Sequence, residues 1–144
     1  MDKEQAKALV EEIYEVFNSR DLDRLDSLFD PGYEDYSVGL PFPAPFDLQT
    51  LKDLLNMYFT AFPDAKFSIS DVISDGDKLA WQDRFTGTHQ GELMGIPATG
   101  SKVDIPGMSM GEIRNGKAYR HWSVTDNMGM MQQLGVIPSP GQQQ

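Results

Sequence analysis

The apolar residues of this chain recur at helical spacing in its first third and at every second position afterwards, and the change falls at Pro63-Asp64. Residues 4 to 18 carry Ala6, Leu9, Val10, Ile13, Tyr14 and Phe17 at three- and four-residue steps, with Glu4, Lys7, Glu11, Glu12 and Glu15 elsewhere, which predicts an amphipathic helix. A short helix is predicted over 21 to 29, with Asp21 as its cap, Leu22, Leu25, Leu28 and Phe29 as its stripe, and Asp30-Pro31-Gly32 as its stop. Helical spacing returns over 48 to 62. Strands are then predicted over 66 to 74, 78 to 89, 102 to 113 and 117 to 125, with Asp75-Gly76 and Asn115-Gly116 as hairpin turns. Residues 126 to 134 are again helical, with Met128, Met131 and Leu134 in register and Gly135 as the stop. Helices followed by an antiparallel meander make an α+β order, in which helices cover one face of a curved antiparallel sheet. One domain over 1 to 135 is expected, followed by a tail over 136 to 144.

Between the helical and strand blocks, Gly39-Leu40-Pro41-Phe42-Pro43-Ala44-Pro45-Phe46 cannot be regular, because its alternating prolines lack amide hydrogens. Its apolar side chains either pack over the core or lid a pocket.

The 144 residues contain 12 Lys+Arg against 22 Asp+Glu, a net charge of −10, and no cysteine. A chain of this size buries roughly 68–70% of its unfolded surface, enough for a core without disulfides. The charge argues against nucleic acid or an anionic membrane as partner. Residues 1 to 36 hold 11 acids against 4 bases, so the acidity belongs to the solvated faces of the first helices or to a docking surface for a basic partner. The start, Met1-Asp2-Lys3-Glu4-Gln5, has no apolar leader and no stretch is long enough to span a bilayer, so a cytoplasmic protein is expected.

Parity sorts the strand side chains. Leu79, Trp81 and Phe85 share one face with Asp83, a carboxylate in an apolar stripe. It sits either at a wet rim or buried with a raised pKa, ready for proton transfer. For the last hairpin, a three-residue loop Arg114-Asn115-Gly116 with a glycine bulge keeps patterning consistent. That register puts Met108 and Met110 with Ala118, Trp122 and Val124 on an apolar face. Gly107, Ser109 and Gly111 then share the polar face with Tyr119, His121 and Ser123. A polar face of this kind is either solvated or a cavity wall on which His121 shuttles protons.

No glycine-rich phosphate loop precedes a helix, and the only histidines, His89 and His121, belong to no short-spaced ligand set. Neither a cofactor nor a metal is expected. Gly107-Met-Ser109-Met-Gly111 has the letters of a hydrolase elbow but lies inside a strand, away from any strand-to-helix turn.

The string from Gly87-Thr88-His89-Gln90-Gly91 through Gly95-Ile96-Pro97-Ala98-Thr99-Gly100, with Asn115-Gly116-Lys117, His121-Trp122, Asp126 and Gln133-Leu134-Gly135, resembles the SnoaL-like polyketide cyclases, or ester cyclases. The resemblance also takes in Val16-Phe17-Asn18 and Asp30-Pro31. It implies the cone-shaped α+β fold of the nuclear transport factor 2-like superfamily, and an intramolecular aldol cyclisation driven by a strand Asp beside a His and a Gln. Those three positions correspond here to Ser123, Ser109 and Gly107, so the family's acid is missing. The resemblance makes the polar face a pocket wall. It leaves the apolar face of Met108, Met110, Trp122 and Val124 to be covered by a second copy, so a homo-oligomer packed through the sheet is expected.

Two functions follow. One is cyclisation or isomerisation of a hydrophobic carbonyl compound, with Asp83 and His121 catalytic and Tyr14, Phe17, Trp81, Ser109, Tyr119 and Ser123 binding substrate. The other is a non-catalytic binder of the same kind of molecule, with adaptable side chains such as Met57, Met94 and Met130. His89 is expected to anchor a loop, and Asp126 to cap the final helix.

Overall fold

A computed structural model of the protein describes residues 1 to 141. Helix α1 spans Lys3–Ser19 and opens on a capping box between Asp2 and Gln5. The short helix at Leu22–Ser27 is of the 3-10 type, and Asp21 makes no side-chain cap bond to it, contrary to expectation. Strand β1 is Phe29–Asp35 and helix α2 is Leu48–Ala61, capped by Asp47 on the Thr50 amide at 2.9 Å. Strands β2 (Lys66–Asp75), β3 (Lys78–Thr88), β4 (Lys102–Arg114) and β5 (Lys117–Thr125) follow, and α3 (Asn127–Leu134) closes the order. Asp126 caps α3 as expected, accepting from the Gly129 amide at 2.8 Å. Residues 136 to 141 of the expected tail form no helix or strand, and the rest of that tail lies outside the described residues.

The five-stranded sheet has the order β1-β5-β4-β3-β2. Its last four strands form the expected antiparallel meander, but β1 pairs parallel to β5, so the sheet is mixed. The first hairpin turns through Gly76-Asp77, one residue later than predicted, since Asp75 pairs with Lys78. The last hairpin differs more. Its loop is the two-residue Asn115-Gly116, both at positive φ, and Ile113 pairs with Ala118. A bulge at Tyr119 then restores odd-with-odd pairing, so Gly111 faces His121 and Ser109 faces Ser123. The parity expected for residues 107 to 111 and 121 to 125 holds, while Ala118 turns inward.

The helices cover the inner face. Asn18 docks α1 on β2 by exchanging two hydrogen bonds with the Phe67 backbone, at 2.8 and 2.9 Å, as a paired strand would. Its buried stripe of Leu9, Val10, Ile13, Val16 and Phe17 meets Leu79, Trp81 and Ile113. A second cluster joins Phe62, Phe85, Leu93, Ile105, Met130 and Leu134 at the other end. The loop from 39 to 46 serves both predicted roles, since Phe46 is buried and bridges Asp35 while Leu40 and Phe46 wall a cavity.

The resemblance strings have structural duties. Gln90 and Gly91 donate their amides to Ala61 O at the end of α2, and a Cβ on Gly91 would collide with Thr60 O. Fully buried His89 accepts the Thr99 amide on Nδ1 at 3.2 Å, which ties the 90 to 100 loop as expected. Gln133 pins α3 to β4 through both backbone groups of Asp104.

Candidate functional site

Period-two geometry on β1 aims Tyr33 and Asp35 inward, and Ser37 continues the row. All three are buried, Asp35 to 1% exposure. The parallel pairing with β5 sets Asp35 directly beside His121. The Asp35 carboxylate accepts from Tyr33 Oη at 2.7 Å and the Ser37 amide at 2.9 Å, and its Oδ2 lies 3.0 Å from His121 Nδ1. Burial works against its charge, and the hydrogen bond and charge of His121, with Ser37 and Tyr33, outweigh burial, so its pKa lies below the ordinary carboxylate value.

With Asp35 on Nδ1, the imidazole presents Nε2 to the cavity, 3.2 Å from Ser109 Oγ. The Trp81 ring stacks on it at 5.8 Å between centroids. Ser109 Oγ in turn donates to Asp83 Oδ2 at 2.6 Å, and Tyr14 Oη reaches the same oxygen at 3.5 Å while accepting from Trp81 Nε1 at 3.1 Å. One chain of polar contacts therefore runs from Asp35 through His121, Ser109 and Asp83 to Tyr14. Burial pushes the Asp83 pKa above the ordinary value, only partly offset by Ser109, His121 and Tyr14. Burial, then the neighbouring Asp83 charge, pushes the Tyr14 phenol far up, so it keeps its proton.

These groups line a cavity of two lobes that share Tyr14, Phe17, Asp35, Leu51 and His121. One lobe holds about 600 Å³ of open space beneath Val10, Ile13, Phe29 and Ala118, and also touches Trp81. The other holds about 770 Å³ and exposes Asp83, Ser109 and Ser123 among Leu54, Phe67 and Ile105. The volumes include the cavity mouths, and the walls are mainly apolar, as small-molecule sites are.

Of the eight residues expected at the site, seven line this cavity: Asp83, His121, Tyr14, Phe17, Trp81, Ser109 and Ser123. Tyr119 does not. The bulge turns its ring away, where the Arg114 and Arg120 guanidinium groups lie 3.7 and 4.6 Å from the ring centroid. Asp83 is neither at a fully wet rim nor turned from His121; it is half-buried and one hydroxyl away. Asp35, Tyr33 and Ser37 escaped the sequence reading. The alternation Tyr33-x-Asp35-x-Ser37 was the available signal, a polar row of period two directly after Asp30-Pro31-Gly32.

The sequence model of the SnoaL-like polyketide cyclase family matches residues 7 to 134. Solved structures resemble the whole chain. AclR, a candidate hydroxylase from Streptomyces galilaeus, is 26% identical with a TM-score of 0.84, covering 96% of this chain and 85% of its own. IdmH, a candidate polyketide cyclase from Streptomyces antibioticus, is 31% identical with a TM-score of 0.81, covering 91% of this chain and 99% of its own. A SnoaL-like polyketide cyclase from Agrobacterium tumefaciens is 25% identical with a TM-score of 0.75, covering 90% and 98%. No curated protein matches the sequence.

Proposed function

Because the chain belongs to the SnoaL-like polyketide cyclase family, we propose that it performs acid–base cyclisation or isomerisation of a hydrophobic, polyketide-like carbonyl compound in this cavity. The observation that carries the reading is a pair of carboxylates, Asp35 and Asp83, whose pKa values are driven in opposite directions in one apolar cavity. Environments that separate two such groups assign acid and base roles. Asp83 takes the carbon-bound proton, and its raised pKa makes it a better base than a solvated carboxylate. The developing enolate oxygen accepts from the Tyr14 phenol and from protonated His121, whose ring Asp35 holds in place. In this assignment Asp83 supplies what the family's strand Asp supplies elsewhere, while Ser123 donates only to Ser37 Oγ at 2.7 Å.

That same replacement supports the second reading, a binder without turnover. Deuterium uptake at the α-carbon of 1-tetralone, followed by proton NMR, separates the two. The enzyme reading expects uptake that falls about 10²–10⁴-fold in Asp83→Asn. Binding of the ketone with no catalysed exchange establishes the binder instead.

A homo-oligomer packed through the outer sheet face accompanies the proposal. Met108, Met110 and Val124 are 59%, 42% and 63% exposed there, and Trp122 stacks on Tyr36 beside them. A self-complementary second copy is the occupant that this apolar face fits.

A further inference from the structure

Ser109 is the most confined hydroxyl of the site, 5% exposed and flanked by two proton acceptors, His121 Nε2 at 3.2 Å and Asp83 Oδ2 at 2.6 Å. On the far side of the imidazole, Nδ1 meets Asp35 Oδ2 at 3.0 Å, and Asp35 is itself fixed by Tyr33 and the Ser37 amide. A hydroxyl, an imidazole and a buried carboxylate thus stand in sequence across β4, β5 and β1. Such an array is defined by geometry and roles, and needs no particular turn or chain order. The glycines on either side keep the neighbourhood open: a Cβ on Gly107 would strike the Asp83 carboxylate, and one on Gly111 would press on the Trp81 ring.

We propose that Ser109 is a covalent nucleophile, with His121 as its base and Asp35 as the residue orienting the imidazole, so that the cavity also carries acyl transfer from hydrophobic esters or lactones. Ser109 Oγ bonds to the ester carbonyl carbon as its proton passes to His121 Nε2. The carbonyl-to-alkoxy bond breaks, the imidazolium returns the proton to the departing alkoxide, and acyl-Ser109 remains. Water then attacks the acyl carbon and gives its proton to His121. The serine oxygen leaves and takes that proton back, releasing a carboxylic acid. Water is the only co-reactant.

The backbone around Ser109 is committed to the ladders with β3 and β5, so the oxyanion needs a side-chain donor. Tyr14 supplies it. Its hydroxyl and Ser109 Oγ lie against the same Asp83 oxygen, at 3.5 and 2.6 Å, which places a carbonyl oxygen on an acylated Ser109 within its reach. Leu54, Phe67 and Ile105 beside the serine select an apolar acyl group.

This activity shares the cavity with the carbon-acid chemistry but uses none of its steps, so the two are tested apart. The probes are a fluorophosphonate, read by intact-protein mass and peptide mapping, and p-nitrophenyl butyrate, read as a burst of nitrophenolate. The proposal expects one adduct per chain on Ser109, a stoichiometric burst, loss of both in Ser109→Ala, and labelling slowed about 10²-fold or more in His121→Gln and Asp35→Asn. Should Ser109→Ala not fold, Ser109→Cys keeps the volume and is expected to exchange fluorophosphonate labelling for iodoacetamide labelling at that position. Absence of an adduct on Ser109 in folded protein, an adduct confined to other residues, or undiminished labelling in His121→Gln overturns it. Serine labelling without ketone exchange removes only the cyclase reading, and ketone exchange without labelling removes only this one.

Discussion

Asp35 and His121 are joined twice, as parallel backbone partners of β1 and β5 and through the 3.0 Å contact of Oδ2 with Nδ1. The backbone register fixes where the carboxylate stands, and the side-chain contact fixes which imidazole nitrogen is left for the cavity. A carboxylate this deeply buried is held by three donors, so its loss unseats all of them.

Asp35→Ala is expected to destabilise the fold by about 3–5 kcal/mol, the usual cost of removing one member of a buried pair. Asp35→Asn keeps the shape and costs less, about 1–3 kcal/mol. Urea midpoints at neutral pH check both.

The two carboxylates respond oppositely to pH. Asp35, with its pKa depressed in the fold, contributes stability that is present above the unfolded value of about 3.9 and lost as pH falls through the lower folded value. Asp83, with its pKa raised, contributes stability that is complete below about 3.9 and lost as pH rises through the higher folded value. Asp83→Asn is therefore expected to be more stable than the parent at neutral pH, with the difference closing on acidification toward pH 4. Urea midpoints for both proteins across that range provide the measurement, and a gap that widens in acid contradicts the assignment.

Gly107 is the ladder partner of Asp83, and an added Cβ there meets the end of the Asp83 side chain. Gly107→Ala is expected to displace the carboxylate while leaving the backbone in place. Ketone exchange then falls at least about 10-fold, a dependence on positioning, while the urea midpoint changes little. Equal losses of exchange and stability would show that the glycine serves folding alone.

Met108→Glu or Val124→Glu places charge in the centre of the outer apolar face. Light scattering is expected to show an oligomer for the parent chain and monomers for both variants, with unchanged circular dichroism. A monomeric parent removes the sheet-to-sheet assembly.

Much of this arrangement was legible in the sequence because local periodicity carries it. The stripe of α1 and the odd face of β3 placed Tyr14, Phe17, Trp81 and Asp83 together. Two things were not legible, for different reasons. A bulge adds one residue to one strand, so parity carried backwards from His121 put Tyr119 and Ala118 on the wrong faces. Asp35 depends on a parallel pairing with a strand far along the chain, which no local pattern encodes. Its row of alternating polar residues resembles a loop until β5 lies beside it.

The parallel seam between β1 and β5 also sets the order of events in folding. Asp35 and His121 are 86 positions apart, among the longest loops this chain has to close. The helices and the β2 to β4 meander assemble from nearer neighbours, and the reactive cluster exists only after that final closure. A chain still emerging from the ribosome, lacking residues 117 to 125, has its apolar pocket walls but no chemistry within them.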